Sequence, residues 1–249
     1  MSPDRSLCLV TAAAIFALLF RAVAVAGPAD YVYTPAVEYG EREIDLKLGT
    51  QKNSGEPRYS AGSIGFGYGV TEHWFTEFYT KYQREGGAST RFDAFEWENR
   101  FQLTERGQYP IDLGFVVEVE RPRERAEGYE LRLGPLFQTD WDRWQLNLNV
   151  LFERHFRSGQ PQKTELGYQW QLRYLGYTAV DVGVQGFGEL GEWNHWSPSR
   201  EQNHRLGPAL FGKIKLSGRS AIKYNAGLLF RASPGAPDHT FRAQLEYEF

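Results

Sequence analysis

The sequence predicts an all-β protein, a transmembrane antiparallel up-and-down β-barrel of about twelve strands. Three observations predict it. Apolar and polar residues alternate with period two through most of the chain, the mark of strands with two unlike faces. The gaps between these runs alternate in length, long then short, as barrel loops and turns do. The chain ends on one such run, Thr240–Phe249, with an aromatic residue in the final position.

The first segment is separable. Met1–Arg5 carries Arg5, and Leu7–Phe20 is apolar or small apart from Thr11. Ala22-Val23-Ala24 and Ala24-Val25-Ala26 then fit the small-x-small rule for cleavage, so residues 1–26 are expected to be a secretory signal peptide. A membrane anchor is the competing reading. It needs about 20 apolar residues, and Arg21 ends this run early. Cys8 has no small-residue cleavage site before it, which argues against a lipoprotein.

Removing residues 1–26 takes away Arg5, Arg21 and Asp4 and leaves 26 basic against 30 acidic residues. The only cysteine and the only methionine go with them. A disulfide framework and a Cys-ligated metal are excluded, and the mildly acidic balance points to no nucleic acid. No cofactor motif or metal-ligand spacing is present. No later segment is apolar enough for a membrane helix. Residues 27–40 are expected to be a periplasmic segment or a partial plug, and residues 41–249 the barrel.

The strands follow in order. Glu43–Gly49 sets Ile44, Leu46 and Leu48 against Glu43, Asp45 and Lys47. Ser60–Val70 sets Ile64, Phe66, Tyr68 and Val70 against glycines. Trp74–Tyr82 is ambiguous in phase, but Glu77 and Lys81 put Trp74, Phe78 and Tyr82 outside. Phe95, Trp97, Phe101 and Leu103 oppose Glu96, Glu98 and Arg100. Ile111, Leu113, Phe115, Val117 and Val119 oppose Asp112, Gly114, Val116, Glu118 and Glu120. Tyr129, Leu131, Leu133 and Phe137 oppose Glu130, Arg132 and Gln138. Trp144, Leu146, Leu148, Val150 and Phe152 oppose Gln145, Asn147, Asn149, Leu151 and Glu153. Leu166, Tyr168, Trp170, Leu172 and Tyr174 oppose Glu165, Gly167, Gln169, Gln171 and Arg173. Val180, Val182 and Val184 oppose Asp181, Gly183 and Gln185. Leu206, Leu210 and Ile214 oppose Arg205, Ala209 and Lys213. Tyr224, Ala226, Leu228 and Phe230 oppose Lys223, Asn225, Gly227 and Arg231. Last, Phe241, Ala243, Leu245, Tyr247 and Phe249 oppose Arg242, Gln244, Glu246 and Glu248.

The gaps near Thr50–Arg58, Arg84–Arg91, Arg121–Gly128, His155–Lys163, Leu190–Asn203 and Ala232–His239 are long and polar. Those near Thr71–His73, Thr139–Arg143, Leu175–Tyr177 and Ser217–Ser220 are short, and Thr104–Pro110 is intermediate. Both termini then fall on the periplasmic side. A soluble sandwich or lipocalin-like barrel also alternates. Charges and glycines on the second face make poor material for a dry core, which weighs against it. An Arg-Leu-Gly-Pro tetrapeptide occurs twice, at Arg132–Pro135 and Arg205–Pro208. Pro135 and Pro208 are expected to mark bulges, since proline cannot donate to the ladder.

The C-terminus resembles the assembly signal of outer-membrane proteins, with Phe249, Tyr247, Leu245 and Phe241 in the matching positions and Ala243 a weaker one. The resemblance implies recognition by the barrel-assembly machinery. The N-terminal half resembles the outer-membrane barrels grouped as "MetA-pathway of phenol degradation" proteins. The matching stretches are Pro35–Glu41, the alternating Glu43–Leu48, and Gly67-Tyr68-Gly69-Val70-Thr71-Glu72. That implies a transport-type barrel and names no substrate. Outer-membrane lipid and lipopolysaccharide are the expected surroundings, with oligomeric state open.

The expected lumen is charged. Glu96, Glu98, Asp112, Glu118 and Glu120 with Arg100 form one side; Arg205, Lys213, Lys223, Arg231 and Arg242 form the other, with Arg132 and Arg173 between. In a twelve-strand ring an acidic wall then faces a basic one. Either the walls interdigitate and fill the lumen, or they flank a narrow pore for a small polar or aromatic solute. Leu190–Asn203, with Trp193, His195, Trp196 and Arg200, either folds over the mouth or anchors in the headgroup region. His155 and Ser158 differ in parity, so a lipid-cleaving pair is not formed on a regular strand. Passage of a small solute is thus the first reading. A non-conducting binding or structural barrel is the second, and a lipid-modifying enzyme a distant third.

Overall fold

The computed structural model describes residues 27–159, 162–176, 180–218 and 220–249. The expected signal peptide and Cys8 lie outside them. Twelve long strands close into one ring: β1 (Arg42–Lys52), β2 (Tyr59–Thr71), β3 (Trp74–Glu85), β4 (Arg91–Gln102), β5 (Asp112–Pro122), β6 (Tyr129–Trp141), β7 (Trp144–Phe156), β8 (Thr164–Tyr174), β9 (Asp181–Glu192), β11 (Asn203–Lys215), β12 (Ala221–Arg231) and β13 (His239–Glu248). The two-residue β10 (His195–Trp196) folds back on the end of β9 as a loop hairpin. Each long strand pairs antiparallel with its sequence neighbour. The ring closes where β13 meets β1, with Leu46 opposite Leu245, Ile44 opposite Tyr247, and Phe249 N donating to Arg42 O at 2.9 Å. Closure leaves no free edge, the condition for a sheet in lipid.

Strand phase follows the alternation. Outward side chains such as Phe66, Phe78, Phe95 and Leu210 are half exposed or more with no protein over them, while Glu43, Asp45, Lys47, Glu98 and Glu118 face inward and are buried. β3 was the ambiguous strand: Trp74, Phe78 and Tyr82 do face outward, and Phe75 and Tyr79 join Glu77 inside. The longest connection, between β9 and β11, lies at one end, and the two-residue turns 72–73 and 142–143 lie at the other, with β1's start and the C-terminus; the nine-residue connection 103–111 also falls at that short-turn end, so length does not alternate strictly. The loop after β1 is tied to the one before β13. Ser54 donates to Asp238 through both its backbone N and its Oγ, at 2.7 Å each. Those bonds hold the Asp238 carboxyl below its ordinary range.

The outer face contains glycines whose missing side chains are replaced by a neighbour's ring. Trp170 lies over Gly186, where an added Cβ would sit 2.3 Å from Nε1. Tyr168 covers Gly188 and Tyr224 covers Gly212 in the same way. Such cover shields backbone and recovers packing area. Trp170→Ala should therefore lower unfolding stability in detergent by about 1–3 kcal/mol; equilibrium urea unfolding followed by gel shift measures it.

Pro135 and Pro208 do not mark bulges. Leu133 pairs with Phe152 and Leu136 with Asn149 in one unbroken register, and so do Leu206 with Phe230 and Ala209 with Gly227. Each proline costs pairing at two positions but no residue is inserted. The glycine before it absorbs the distortion. The next strand's carbonyl moves into side-chain space, 1.8 Å from a Cβ built on Gly134 and 2.0 Å from one built on Gly207. The register shifts occur elsewhere, at Gly69/Thr71, Lys81/Tyr82 and Leu166/Gly167.

Candidate functional site

The lumen holds part of the chain itself. Residues 27–41 run inside the barrel from the loop half to the short-turn end, where the chain turns into β1. Wall glycines make the room. A Cβ on Gly49 would lie 2.0 Å from Pro28 O, one on Gly69 1.9 Å from Glu38 O, and one on Gly114 2.8 Å from Pro35 Cβ. Pro28 and Pro35 suit a segment with few ladder partners, because they bring no N–H to satisfy. At the exit, Gly40 N donates to Gly69 O (2.8 Å) and Gly69 N to Glu41 O (2.9 Å). Val37 N donates to Gln102 Oε1 (2.9 Å).

Adjacent side chains of an extended segment point opposite ways, and here they span the lumen. Tyr33 enters a socket of Val116, Leu136 and Leu151 on β5–β7. Val32 packs on Phe187 and Leu229, on β9 and β12. Each socket contributes about 1.5–3 kcal/mol of burial. Polar contacts fix the rest. Tyr31 OH donates to Glu98 and Tyr33 OH to Glu118. Lys47 Nζ sits 3.5 Å over the Tyr31 ring. The Asn149 amide, turned to satisfy its neighbours, accepts from Tyr33 N (2.9 Å) and donates to Tyr33 O (3.3 Å).

The charges do not form two facing walls. The acids of β4 and β5 find cations on nearby strands. Lys81 of β3 reaches Glu96 (2.8 Å) and Glu120 (2.5 Å). Arg132 of β6 reaches Glu118 (3.3 Å), Glu130 (3.4 Å) and Glu153 (2.9 Å). Arg100 binds Glu98 (3.1 Å) within its own strand and lies 3.8 Å from Glu43. On the supposed basic side, Lys223 contacts Glu41, Glu246 and Glu248, and Lys213 contacts Glu248 (2.7 Å). Arg173 pairs with Asp181 (2.9 Å), and Arg231 with Asp238 (2.7 Å) at the loop end. The reason is reach. Adjacent strands are about 4.8 Å apart, while a twelve-strand ring is on the order of 20 Å across, and the plug occupies the middle.

Asp112 has a local task, accepting from Gly107 N at 2.7 Å to brace a turn. Arg205 and Arg242 are buried on the Phe187 ring, 5.9 and 5.6 Å from its centre. Arg242 also ends a hydrogen-bonded belt. It donates to Gln185 (2.6 Å), Gln185 to Gln171 (3.1 Å), Gln171 to Asn147 (3.0 Å) and Asn147 to Gln138 (2.8 Å). Gly227 and Ala209 are small enough to let Arg242 cross two strands to reach Gln185.

Sequence reasoning weighed the charges and missed both the belt and the sockets. The signals were present. Amides recur at inward parity on β6–β9. Apolar residues interrupt polar faces at Val116, Leu136, Leu151, Phe187 and Leu229, where a residue facing water would be polar.

The plug leaves a cavity on either side. The one toward the short turns has about 580 Å³, and eight carboxylates and five Lys or Arg side chains line it. The one toward the loops has about 240 Å³, with six carboxylates against three Lys or Arg side chains. Tyr31 borders both. His155 faces the loop-side cavity, its Nε2 3.6 Å from Glu130 and 3.9 Å from Glu153. Among the described residues, three carboxylate-rich groups are compact enough for a metal: Glu130 with Glu153 and His155, Glu41 with Glu43 and Glu248, and Glu96 with Glu98 and Glu118. Each already receives protein cations or phenols, from Arg132, Lys223, Lys81, Tyr31 and Tyr33. Trp193, His195, Trp196 and Arg200 are exposed and line neither cavity. Phe241, Leu245, Tyr247 and Phe249 lie exposed on the outer face.

No protein-family model matches the sequence, and no curated protein matches it. Solved structures do. The "COG4313 outer membrane channel from Pseudomonas putida F1" superposes with a TM-score of 0.57 at 13% identity, covering 89% of this chain and 98% of that one. The translocator domain of the autotransporter NalP from Neisseria meningitidis gives 0.48 at 14% identity, covering 96% and 98%. At these identities the likeness concerns the fold. Together with the closed ring, it shows a twelve-strand antiparallel β-barrel fold with an apolar outer face.

Proposed function

We propose that the barrel is a narrow outer-membrane channel for small cationic or neutral polar solutes, shut at rest by residues 27–41. The observation that carries this reading is the pair of net-acidic cavities that flank the inner segment and share Tyr31 in their linings. A lumen with surplus carboxylates concentrates cations and repels anions. The fixed cations beside each acid keep the surplus modest, so the preference is a bias rather than a filter. No step of this reading is catalytic.

Single-channel recording of the refolded protein in a salt gradient tests it. The reversal potential should show K⁺ preferred over Cl⁻, and neutralising Glu246 and Glu248 in the larger cavity should bring the ratio close to unity. Anion preference would overturn the reading. A non-conducting barrel is the second reading, favoured by the amide belt and both sockets, which fill the centre on the β6–β9 side. It predicts silence even after the plug is removed.

A further inference from the structure

Inside the barrel Arg100, Arg132 and Arg173 meet carboxylates, but a group of arginines outside does not. Arg121 and Arg154 have the outward parity of β5 and β7, near the loop end, and Arg84 has it on β3. None of the three makes an ion pair among the described residues. Arg121 Nη1 donates to Gly128 O, and Arg154 Nη1 to Thr164 Oγ1 at 3.4 Å. Both guanidinium groups lie on aromatic rings, Arg121 4.5 Å from the centre of Tyr129 and Arg154 5.6 Å from that of Phe156. Tyr129 and Phe156 face each other across β6 and β7. Thus a floor of two rings carries a cation at either side.

The register gives the spacing. Arg121 and Arg154 are two strands apart and offset by two residues, so their Cα atoms are about 12 Å from each other at ~4.8 Å per strand and ~3.4 Å per residue. Two arginine side chains at that separation can close on a single headgroup. In the loop between β5 and β6, Arg123 and Arg125 balance Glu124 and Glu127, which leaves the strand arginines uncompensated. At the opposite membrane boundary, outward strand ends carry Trp74, Phe101, Trp144, Tyr174 and Tyr247, and among the described residues there Arg42 is the one cation.

The geometry points to a docking site on the outer face of β5–β7 for a phosphorylated glycolipid of the outer leaflet, gripped by Arg121 and Arg154 with Arg84 at its margin. Charge complementarity identifies the occupant. A guanidinium at a bilayer boundary with no carboxylate partner is matched by phosphate, which it binds bidentately. The cations cluster at the boundary next to the long loops, the leaflet where phosphate is carried on glycolipid. The rings hold the guanidinium planes in place and pack on the sugar and upper acyl region. This inference rests on the barrel being in an outer membrane and not on whether its lumen conducts.

Native mass spectrometry of the full refolded chain in neutral detergent, with added bisphosphorylated lipid A, tests it. The wild type should retain one glycolipid, and R121Q/R154Q should lose at least tenfold in affinity, the scale of one charge-assisted pair. R121K/R154K should keep an intermediate affinity, and R42Q should bind as the wild type does. Heat-modifiable migration establishes that each variant is folded. If the double glutamine variant does not fold, the lysine variant and the single R121Q and R154Q variants carry the same comparison. Equal binding by the glutamine variants, or equal loss in R42Q, would overturn the site. Equal retention of dephosphorylated lipid A would remove phosphate as the recognised group, and equal retention of phosphatidylglycerol would overturn the choice of glycolipid.

Discussion

If residues 27–41 shut a channel as proposed, valine at Gly49 and Gly69 should open it. Both glycines face the lumen, and both give up side-chain space to plug backbone: Pro28 O at 2.0 Å and Glu38 O at 1.9 Å from the built Cβ. Backbone cannot rotate out of the way as a long side chain can, so the segment must lift. The wall loses nothing by the exchange. Valine is favoured in strands, and glycine weakens them by roughly 0.5–1 kcal/mol. G49V/G69V should therefore be folded, heat-modifiable and no less stable than the wild type, with a much higher open probability in planar bilayers. Every 1.4 kcal/mol removed from docking shifts the open-to-closed ratio tenfold. Y33A, which empties one socket worth about 1.5–3 kcal/mol, should raise it by roughly ten- to a hundredfold on the same scale. Residues 27–249 contain no cysteine, so T34C gives an independent readout: a membrane-impermeant maleimide should label it faster in G49V/G69V. A variant as silent and as slowly labelled as the wild type, together with silence after deleting residues 27–37, would mean that the plug is not what closes the barrel.

The wall was legible in the sequence and the plug was not, for one physical reason. Period two is a local property, so each strand from Glu43–Gly49 to Thr240–Phe249 announces its lipid face without reference to its neighbours. Even β3 yielded once Glu77 was taken to be inside. What enters the lumen depends on residues far apart in sequence. Tyr33 and Glu118 are separated by 85 positions, and Arg242 and Gln185 by 57. Charges were assigned to the right face but to the wrong partners, because the reading set whole walls against each other. The structure pairs an acid with a cation it can touch, and most of those lie on strands nearby. The prolines misled for a related reason. Pro135 was read as a missing donor alone, whereas Gly134 before it supplies the slack that keeps the register intact. Of everything inside the barrel, the sockets came nearest to being read. Val116 and Leu151 are apolar at inward positions, and such a residue needs something apolar to cover it.

Arg132 should be the most costly single charge to remove. It sits among Glu118, Glu130 and Glu153, all within 3.4 Å, and is mostly buried with them. A buried pair adds little net stability against a hydrophobic replacement of both partners, but breaking one side leaves charge without compensation, at about 3–5 kcal/mol. R132M keeps an unbranched apolar stem in place of the arginine's and strips three carboxylates of their shared partner. It should lower the urea midpoint of unfolding sharply, and it should also loosen Tyr33, whose hydroxyl is held by Glu118. Lysine should recover only part of the loss, because one ammonium cannot fork to three acids. The decisive comparison is R132M with E118Q and E153Q added. If the damage is unpaired charge, removing two of the stranded carboxylates should restore at least half of the lost stability, although more native contacts have been deleted. If stability falls further instead, Arg132 acts by packing alone. Restoration would also explain why so charged a lumen keeps one register. Slipping β7 by a single residue would take Glu153 away from Arg132 and turn it toward lipid, so the triad's cost when broken is what defends the alignment of β6 with β7.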